Sequence, residues 1–250
     1  MNIQLVRHAT LLISYNGKKI VVDPMLSPQG AMATVAGAAN SYPNPTVNLT
    51  IDISELLRAD AVLLTHSHRD HFDAVAATLL PKDILFYCQP EDELLVRSHG
   101  FHRVEPVTQS VKFENIQIIR TSGQHGSGEL GQKMGPVSGF ILQSAHEPTL
   151  YIAGDTIWCT EVKDAVSEYK PDVIVVFAGA AQFLEGGPIT MTPEHIKKVC
   201  KHSADSKVIA AHMESWSHCL LTRQELLTFI SANNLQERVI VPADGEVIHF

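Results

Sequence analysis

Seven residues, Thr65-His66-Ser67-His68-Arg69-Asp70-His71, carry the pattern HxHxDH directly after the apolar run Ala61 to Leu64. The pattern places three imidazoles and one carboxylate within six residues. Imidazole and carboxylate groups together suit zinc, manganese or iron, and ligands held this close can serve two metal ions rather than one. The segment therefore predicts a two-ion site, which is typical of hydrolysis.

Three later positions have the features needed to complete such a site: His125 in Gln124-His125-Gly126, Asp155 after Ala153-Gly154, and His212 after Ala211. Each follows a predicted strand. Residues from separate strand ends converge on one rim of a layered sheet fold, where sites are usually built. We therefore expect these three side chains close to the HxHxDH segment.

The order of strands and helices predicts a layered fold. The turn Asn16-Gly17 joins the β-rich segments Ile3 to Tyr15 and Lys19 to Val22 as a hairpin, and Val111 to Thr121 alternates like one strand. Strands that come first and then alternate with helices favour helices packed outside two central sheets. No linker divides the chain, so we expect a single domain over residues 1–250 with two similar halves, roughly 1–135 and 136–250.

Two segments lack a sustained period. Ser27 to Thr50 is rich in Ala, Gly, Ser, Pro and Asn, which predicts either a lid beside the site or a plain surface loop. Gly126, Gly128 and Gly131 predict a flexible loop that carries His125. They do not form a phosphate-binding loop, because the strand-loop-helix frame and a following Lys-Ser or Lys-Thr are missing.

Composition limits the partners and the compartment. A net charge of −8 without charge runs argues against nucleic acid and favours a small-molecule substrate. The start of the chain lacks a secretory pattern, so a cytoplasmic location is expected. No apolar run approaches the roughly 20 residues of a membrane-spanning helix. The scattered cysteines are expected to be reduced core thiols: Cys88, Cys159, Cys200 and Cys219.

With these motifs in this order, the chain resembles the metallo-β-lactamase superfamily of metal-dependent hydrolases over nearly its whole length. The resemblance implies an α+β fold, a four-layer αββα sandwich of two mixed β-sheets flanked by helices. It implies two divalent metal ions, with zinc preferred and manganese or iron as alternatives. It assigns His66, His68 and His125 to one ion, Asp70, His71 and His212 to the other, and Asp155 as a bridge between them.

Four further residues are expected around the metals. His8 resembles an amino-terminal His in the branch that includes L-ascorbate-6-phosphate lactonase and related lipid-cleaving enzymes, and Asp23 resembles an Asp that orients a metal ligand. His218 could polarise a carbonyl or stabilise an oxyanion, although both it and His8 could also be packing residues. Trp216 is either a core residue or an apolar wall of the pocket. Together with the proposed metal ligand Asp70, His218 and His8 are the candidate catalytic residues.

These residues predict a hydrolase in which a hydroxide bridging two metal ions attacks a lactone, ester or phosphodiester of a small molecule. Asp70 could then pass a proton to the leaving group. The alternative is a non-catalytic, metal-dependent ligand-binding or sensing protein that retains the dinuclear site. An antibiotic-degrading enzyme is not expected without an export signal. The spacing also leaves no room for the inserted domain of the family's nucleases.

Overall fold

A computed structural model describes residues 1–250 as two seven-stranded sheets with helices on their outer faces. The strands are β1 (Asn2–Arg7), β2 (Thr10–Tyr15), β3 (Lys18–Val22), β4 (Ala61–Leu63), β5 (Leu85–Cys88), β6 (Val104–Pro106), β7 (Ser110–Phe113), β8 (Ile116–Ser122), β9 (Ser138–Gln143), β10 (Leu150–Ile152), β11 (Val173–Phe177), β12 (Lys207–Ala211), β13 (Val239–Ile240) and β14 (Val247–His249). The helices are α1 (Ile53–Leu57), α2 (Ala74–Leu79), α3 (Glu93–Ser98), α4 (Gly128–Met134), α5 (Thr160–Tyr169), α6 (Pro193–His202) and α7 (Arg223–Ala232), with a 3-10 turn at Pro90–Asp92.

The two sheets share one pattern of strand pairing. The first sheet has the order β14-β1-β2-β3-β4-β5-β6, and the second has the order β13-β12-β11-β10-β9-β8-β7. In the first sheet the pairs from β14 to β3 are antiparallel and the pairs from β3 to β6 are parallel. The second sheet repeats this, antiparallel from β7 to β10 and parallel from β10 to β13. Both sheets are therefore mixed, as expected, while the division of the chain into pseudo-repeat halves stays a prediction.

Alternating side chains build the four layers. In β3, Ile20 and Val22 belong to the cluster of 24 buried residues between the sheets, whereas Val21 belongs to the 17-residue cluster on the outer face of the first sheet. In β11, Val175 faces between the sheets and Val176 joins a 20-residue cluster that includes residues of α5, α6 and α7. Successive side chains of a strand point to opposite faces, so each central strand contributes to two apolar layers. The αββα sandwich is confirmed.

Helix ends follow ordinary capping chemistry. The Thr222 hydroxyl accepts a hydrogen bond from the backbone N–H of Glu225, and the Glu225 carboxylate accepts one from the N–H of Thr222. This reciprocal pair satisfies two backbone donors that the first turn of α7 leaves free. None of the helices has both the length and the apolar character that crossing a membrane would require.

Two local predictions were wrong. Val111 to Thr121 is not one strand but the hairpin β7–β8, whose turn contains Glu114 with a φ of 52°. The predicted β-rich segment Ile3 to Tyr15 is confirmed, and it consists of the two strands β1 and β2, because His8 turns the chain with a φ of 59°. The glycine-rich stretch after His125 includes the helix α4 and is not only a loop. Non-glycine residues with a positive φ make tight turns, and the alternation of polar and apolar residues along a strand does not reveal such turns.

A buried hydroxyl connects the sheets. The Tyr15 hydroxyl of β2 lies 3.0 Å from the carbonyl oxygen of Leu142 and 2.9 Å from that of Pro148, which belong to the second sheet and its following loop. Tyr15 is fully buried. Because the hydroxyl has no access to water, this contact fixes how the two sheets face each other at this end of the sandwich.

We expect Tyr15→Phe to lower the free energy of unfolding by about 1 to 2 kcal/mol, because it removes the one O–H donor that these two carbonyl oxygens share. Urea denaturation in one metal-free buffer measures the change. The control is Tyr42→Phe, since Tyr42 is 63% exposed and the substitution there should have almost no effect. Equal stability of the Tyr15 variant and the unchanged protein would contradict the assigned role.

Candidate metal centre

The expected donors lie at the carboxyl ends of strands from both sheets. His66, His68, Asp70 and His71 follow β4 of the first sheet, whereas His125 follows β8, Asp155 follows β10 and His212 follows β12 of the second. His8 sits in the turn after β1, and its carbonyl oxygen accepts a 2.8 Å hydrogen bond from the backbone N–H of His212. The site therefore occupies the edge where the two sheets meet.

A first set of donors consists of nitrogen atoms only. One ring nitrogen from each of His66, His68 and His125 lies within 4.8 Å of the others. His66 and His125 are buried, and His68 is half-buried at the edge of the site. Three converging imidazoles leave further coordination positions of an ion free for solvent or substrate, as catalytic metal sites do.

A second set combines one carboxylate with imidazoles. Donor atoms of Asp70, His71, His212 and His8 all lie within 4.8 Å of one another. The Asp70 Oδ2 atom is 3.7 Å from His71 Nε2, 3.5 Å from His212 Nε2 and 3.2 Å from His8 Nε2. The family resemblance implied that three of these residues, Asp70, His71 and His212, bind one ion. The structure adds His8 to the same set, at the contact with Asp70.

Asp155 lies between the two sets. Its Oδ2 atom is 3.3 Å from His71 Nε2 and 3.4 Å from His125 Nε2, while Oδ1 is 3.3 Å from His212 Nε2. The residue before it is Gly154, with a φ of 72°, where an added Cβ would overlap the carbonyl oxygen of Ser138. Only glycine suits this turn, and the turn directs the Asp155 carboxylate toward donors of both sets.

Most of the imidazoles are oriented through their second nitrogen. His71 Nδ1 lies 2.8 Å from Asp23 Oδ2, and His125 Nδ1 donates to the carbonyl oxygen of Ile189 at 2.9 Å. Asp23 also accepts hydrogen bonds from the backbone and the hydroxyl of Thr65, the residue before His66. Such partners fix the tautomer and the direction of a donor nitrogen. Asp23 thus contacts a metal-binding imidazole, as the family resemblance implied.

His212 has an unusual partner. Its Nδ1 atom lies 3.5 Å from the Sγ atom of Cys219, and both residues are buried. Gly179 makes room for this contact, since a Cβ there would come within 2.8 Å of the same sulfur atom. Sequence reasoning assigned Cys219 only to the core and did not connect it to the site. The signal available was its position seven residues after His212.

The buried charges are strongly coupled. Burial alone would raise the pKa of Asp155, but the imidazoles of His212, His71 and His125 outweigh it and lower that pKa well below its usual range. Burial likewise tends to lower the pKa of His71, yet the carboxylates of Asp155, Asp70 and Asp23 raise it well above the ordinary value. The site therefore holds ionised carboxylates away from water, a condition that a bound cation satisfies.

Two buried polar atoms without hydrogen-bond partners also favour a bound cation at this site. His66 Nε2 and Asp155 Oδ1 are buried and have no hydrogen-bond partner. Buried polar atoms without partners are costly, and here both belong to donor sets that converge on one space. Imidazole and carboxylate donors in these groupings fit divalent metal ions, and they suit zinc, manganese and iron alike.

A small cavity opens beside the donors. Its volume is about 210 Å³, and its lining consists of Val35, His68, Arg69, Asp70, Met134, Phe183, Trp216 and His218. Trp216 is only 2% exposed and yet lines this cavity, so it is both a core residue and a wall of the pocket. His218 also lies here, and its buried Nδ1 atom has no partner. Met134 and Phe183 had no sequence signal.

The segment from Ser27 to Thr50 is attached at both ends. The buried guanidinium of Arg7, next to His8, donates hydrogen bonds to the carbonyl oxygens of Ser27 at 2.9 Å and Val47 at 3.0 Å. Between these anchors the segment contributes Val35 to the cavity. It is thus part of the site wall, and its opening as a lid stays a prediction.

The histidines divide into two groups. Seven of the thirteen lie at this site or its cavity, and the other six are exposed or half-exposed elsewhere: His99, His102, His146, His195, His202 and His249. This division agrees with the sequence expectation. Clustering of buried imidazoles is therefore specific to one edge of the sandwich.

Comparison with known proteins places this fold and site. The family model for the beta-lactamase superfamily domain matches residues 18–213. UPF0173 protein YddR of Bacillus subtilis (strain 168) is 40% identical over 254 aligned residues, covering 100% of both chains. The crystal structure of an isothiocyanate hydrolase from Delia radicum gut bacteria has a TM-score of 0.96 and 38% identity, covering 100% of this chain and 99% of the other. A possible metal-dependent hydrolase from Veillonella parvula DSM 2008 has the same TM-score and 32% identity, covering 99% and 98%.

The fold, the donor sets and these similarities define one class of protein, a metal-dependent hydrolase. The chain belongs to the beta-lactamase superfamily. The predicted superfamily is confirmed, and so is the prediction that the protein is an enzyme.

We expect Cys219→Ala to weaken metal binding about tenfold, because loss of an outer partner of a metal-binding imidazole typically costs roughly 10- to 100-fold and a thiol is a weak partner. Competition with a chromophoric chelator measures this affinity. Cys219→Ser, which keeps a hydrogen-bonding group, should restore most of it. The matched control is Cys200→Ala in the outer apolar layer; equal loss in both variants would show a general packing effect.

Proposed function

We propose that the protein hydrolyses a small-molecule electrophile with a hydroxide that bridges two divalent metal ions. One observation carries the proposal: two donor sets, each within 4.8 Å, meet at the buried Asp155 carboxylate, which faces both. When bound, two such ions lower the pKa of a shared water so that hydroxide forms near neutral pH. His66, His68 and His125 would hold one ion, and Asp70, His71 and His212 would hold the other, with Asp155 between them.

Asp70 is proposed to move the proton. It lies in the second donor set and also lines the cavity, so the residue stands between the metal-binding atoms and the space for a substrate. From this position it takes a proton from the attacking oxygen and delivers it to the leaving group. His8 fixes that carboxylate through the 3.2 Å contact between Nε2 and Asp70 Oδ2. His8 therefore acts on the proton transfer by orienting Asp70.

His218 is proposed to stabilise developing negative charge. Its imidazole is buried and lines the same cavity as Asp70, and no protein group accepts or donates a hydrogen bond at its buried Nδ1 atom. Burial lowers the pKa of His218, which favours the neutral ring over the imidazolium. A neutral imidazole carries one ring N–H, which can donate one hydrogen bond to the substrate heteroatom that gains charge.

The substrate candidates share an electrophilic centre open to hydroxide. A lactone, an ester or a phosphodiester fits this chemistry, and the relative from Delia radicum gut bacteria adds an isothiocyanate. For an isothiocyanate, a C–O bond forms at the central carbon, the C–N bond breaks, and nitrogen receives both protons of the water. The products are an amine and carbonyl sulfide, so no further reactant is required.

The sensing alternative receives less support. A protein that only senses a ligand does not need a proton-transfer residue on the substrate side of the metals, yet Asp70 and His218 both line the cavity. The family to which the chain belongs also favours turnover. Zinc is the preferred metal for the His and Asp donors, with manganese or iron as alternatives.

We expect Asp155→Ala to reduce metal content from two ions per chain to one or fewer and to reduce turnover by more than roughly 100-fold. The reason is that even an outer partner costs roughly 10- to 100-fold, and a bridging carboxylate contacts both sets directly. Elemental analysis and assays on a panel of lactones, esters, phosphodiesters and isothiocyanates test both effects. Asp164→Ala, at an exposed position of α5, is the control. If the unchanged protein bound two ions and hydrolysed no substrate of the panel, the result would favour the sensing alternative.

His218→Ala should lower turnover by about 100-fold, the typical cost of losing one oxyanion-stabilising donor, while two metal ions stay bound. Turnover and metal content are measured on the same protein sample. His102→Ala, which removes an exposed imidazole, serves as the control. Loss of an ion from the His218 variant would instead identify His218 as a metal ligand and overturn the assignment of His212.

A further inference from the structure

A separate apolar cluster surrounds the opening of the metal site; we call it the mouth cluster. It consists of buried Met25, Ala181, Ile189, Trp216 and Cys219, with partly buried Met32, Val35, Leu130, Met134 and Phe183 packed against them. The other three apolar clusters lie between the sheets or on their outer faces. The mouth cluster therefore does not serve to join the layers of the sandwich.

Four separate segments build the mouth cluster. Val35 comes from the segment Ser27 to Thr50, Met134 ends α4, Phe183 lies after β11, and Trp216 follows His212. These same four side chains line the cavity that contains His68 and Asp70. Several of them stay partly exposed, so an apolar surface faces the cavity immediately beside the donors. An apolar wall with a few convergent polar groups is the usual form of a small-molecule site.

The charge at this opening is already engaged. Arg69 is the one lining residue with a permanent positive charge. Its guanidinium donates a 3.0 Å hydrogen bond to the carbonyl oxygen of Ala33 and lies 5.8 Å from the ring centroid of Trp216. Apart from Arg69 and the proposed metal ions, nothing in the cavity lining balances an anionic group, and half of the lining residues are apolar. The lining therefore suits an apolar group of the substrate better than an additional charged one.

We propose that the mouth cluster binds the apolar group of an uncharged electrophile, with organic isothiocyanates as the substrate class and Phe183 as a specificity-determining residue. This inference rests on the proposed function, because the reacting carbon must lie toward His68 and Asp70. The cavity volume of about 210 Å³ is below the usual range for drug-sized ligands, so it selects a short alkyl or aryl group. Methionines such as Met134 adapt their shape to different groups of this size.

The test uses n-alkyl isothiocyanates from methyl to butyl on the metal-loaded protein. We expect kcat/KM to rise with each added methylene, by up to about fourfold per group, since burial of a methylene provides that factor at most. Unreactive N-alkyl ureas of the same lengths are measured in parallel by calorimetry. Their affinity should rise in the same way, and this readout does not depend on turnover.

Phe183→Ala should flatten the dependence on chain length in both experiments. It should raise KM for butyl isothiocyanate about tenfold or more and leave the two bound ions in place, because Phe183 belongs to none of the metal-binding groups. Phe183→Leu should recover most of the dependence. Leu184→Ala is the matched control, since Leu184 is 73% exposed and does not line the cavity.

The outcomes separate this inference from the function on which it rests. Urea binding that depends on chain length and on Phe183, without turnover of any isothiocyanate, would support the apolar site while overturning the substrate class. Turnover with no dependence on chain length would overturn the role of the mouth cluster and leave the hydrolase intact. Preference for an anionic phosphodiester, lost in Arg69→Gln, would overturn the inference as a whole.

Discussion

The Asp155 carboxylate, buried among imidazoles, is the contact on which the site depends. Asp155 and His212 come from the second sheet, whereas His71 comes from the first, so the carboxylate joins both halves of the sandwich at one edge. Burial of a charge is costly unless opposite charges or a metal ion compensate it. The fold meets this condition by ending several strands of both sheets at the same edge. The apolar layers between and outside the sheets then hold those strand ends in register.

Backbone strain accompanies this convergence. His8, Asp23 and His212 all adopt left-handed conformations, with φ values of 59°, 45° and 62°. Such conformations cost roughly 1 to 3 kcal/mol each when the residue is not glycine, and they persist only where surrounding contacts determine them. At this site those contacts are on both sides: the N–H of His212 donates to the carbonyl oxygen of His8, and Asp23 accepts hydrogen bonds from Thr65 and contacts His71. The strained turns direct the side chains inward, where ordinary strand ends would direct them along the sheet.

The sequence predicted the layers and the donors because both depend on local pattern. HxHxDH after a strand, Gly154-Asp155 and a His after β12 are short motifs, and the structure brings all of them together. Other features depend on contacts between distant residues and gave no local signal. The hairpin at Glu114 breaks an alternation that continues on both sides of it, and α4 forms despite its glycines. The contacts of His8 with Asp70 and of Cys219 with His212 are visible only once the chain is folded.

The position of Cys219 bears on the chemistry of the substrate. The proposed isothiocyanate substrates are electrophiles that react with exposed thiolates, so they require that a thiol of the enzyme lies away from the cavity. Cys219 belongs to the mouth cluster, yet it is only 8% exposed, and it does not line the cavity that contains Phe183 and His218. Its sulfur instead faces His212 Nδ1. The arrangement places Trp216 and His218 on the substrate side and the thiol behind the metal-binding imidazole. A cysteine at this depth can orient His212 without competing with water for the electrophile.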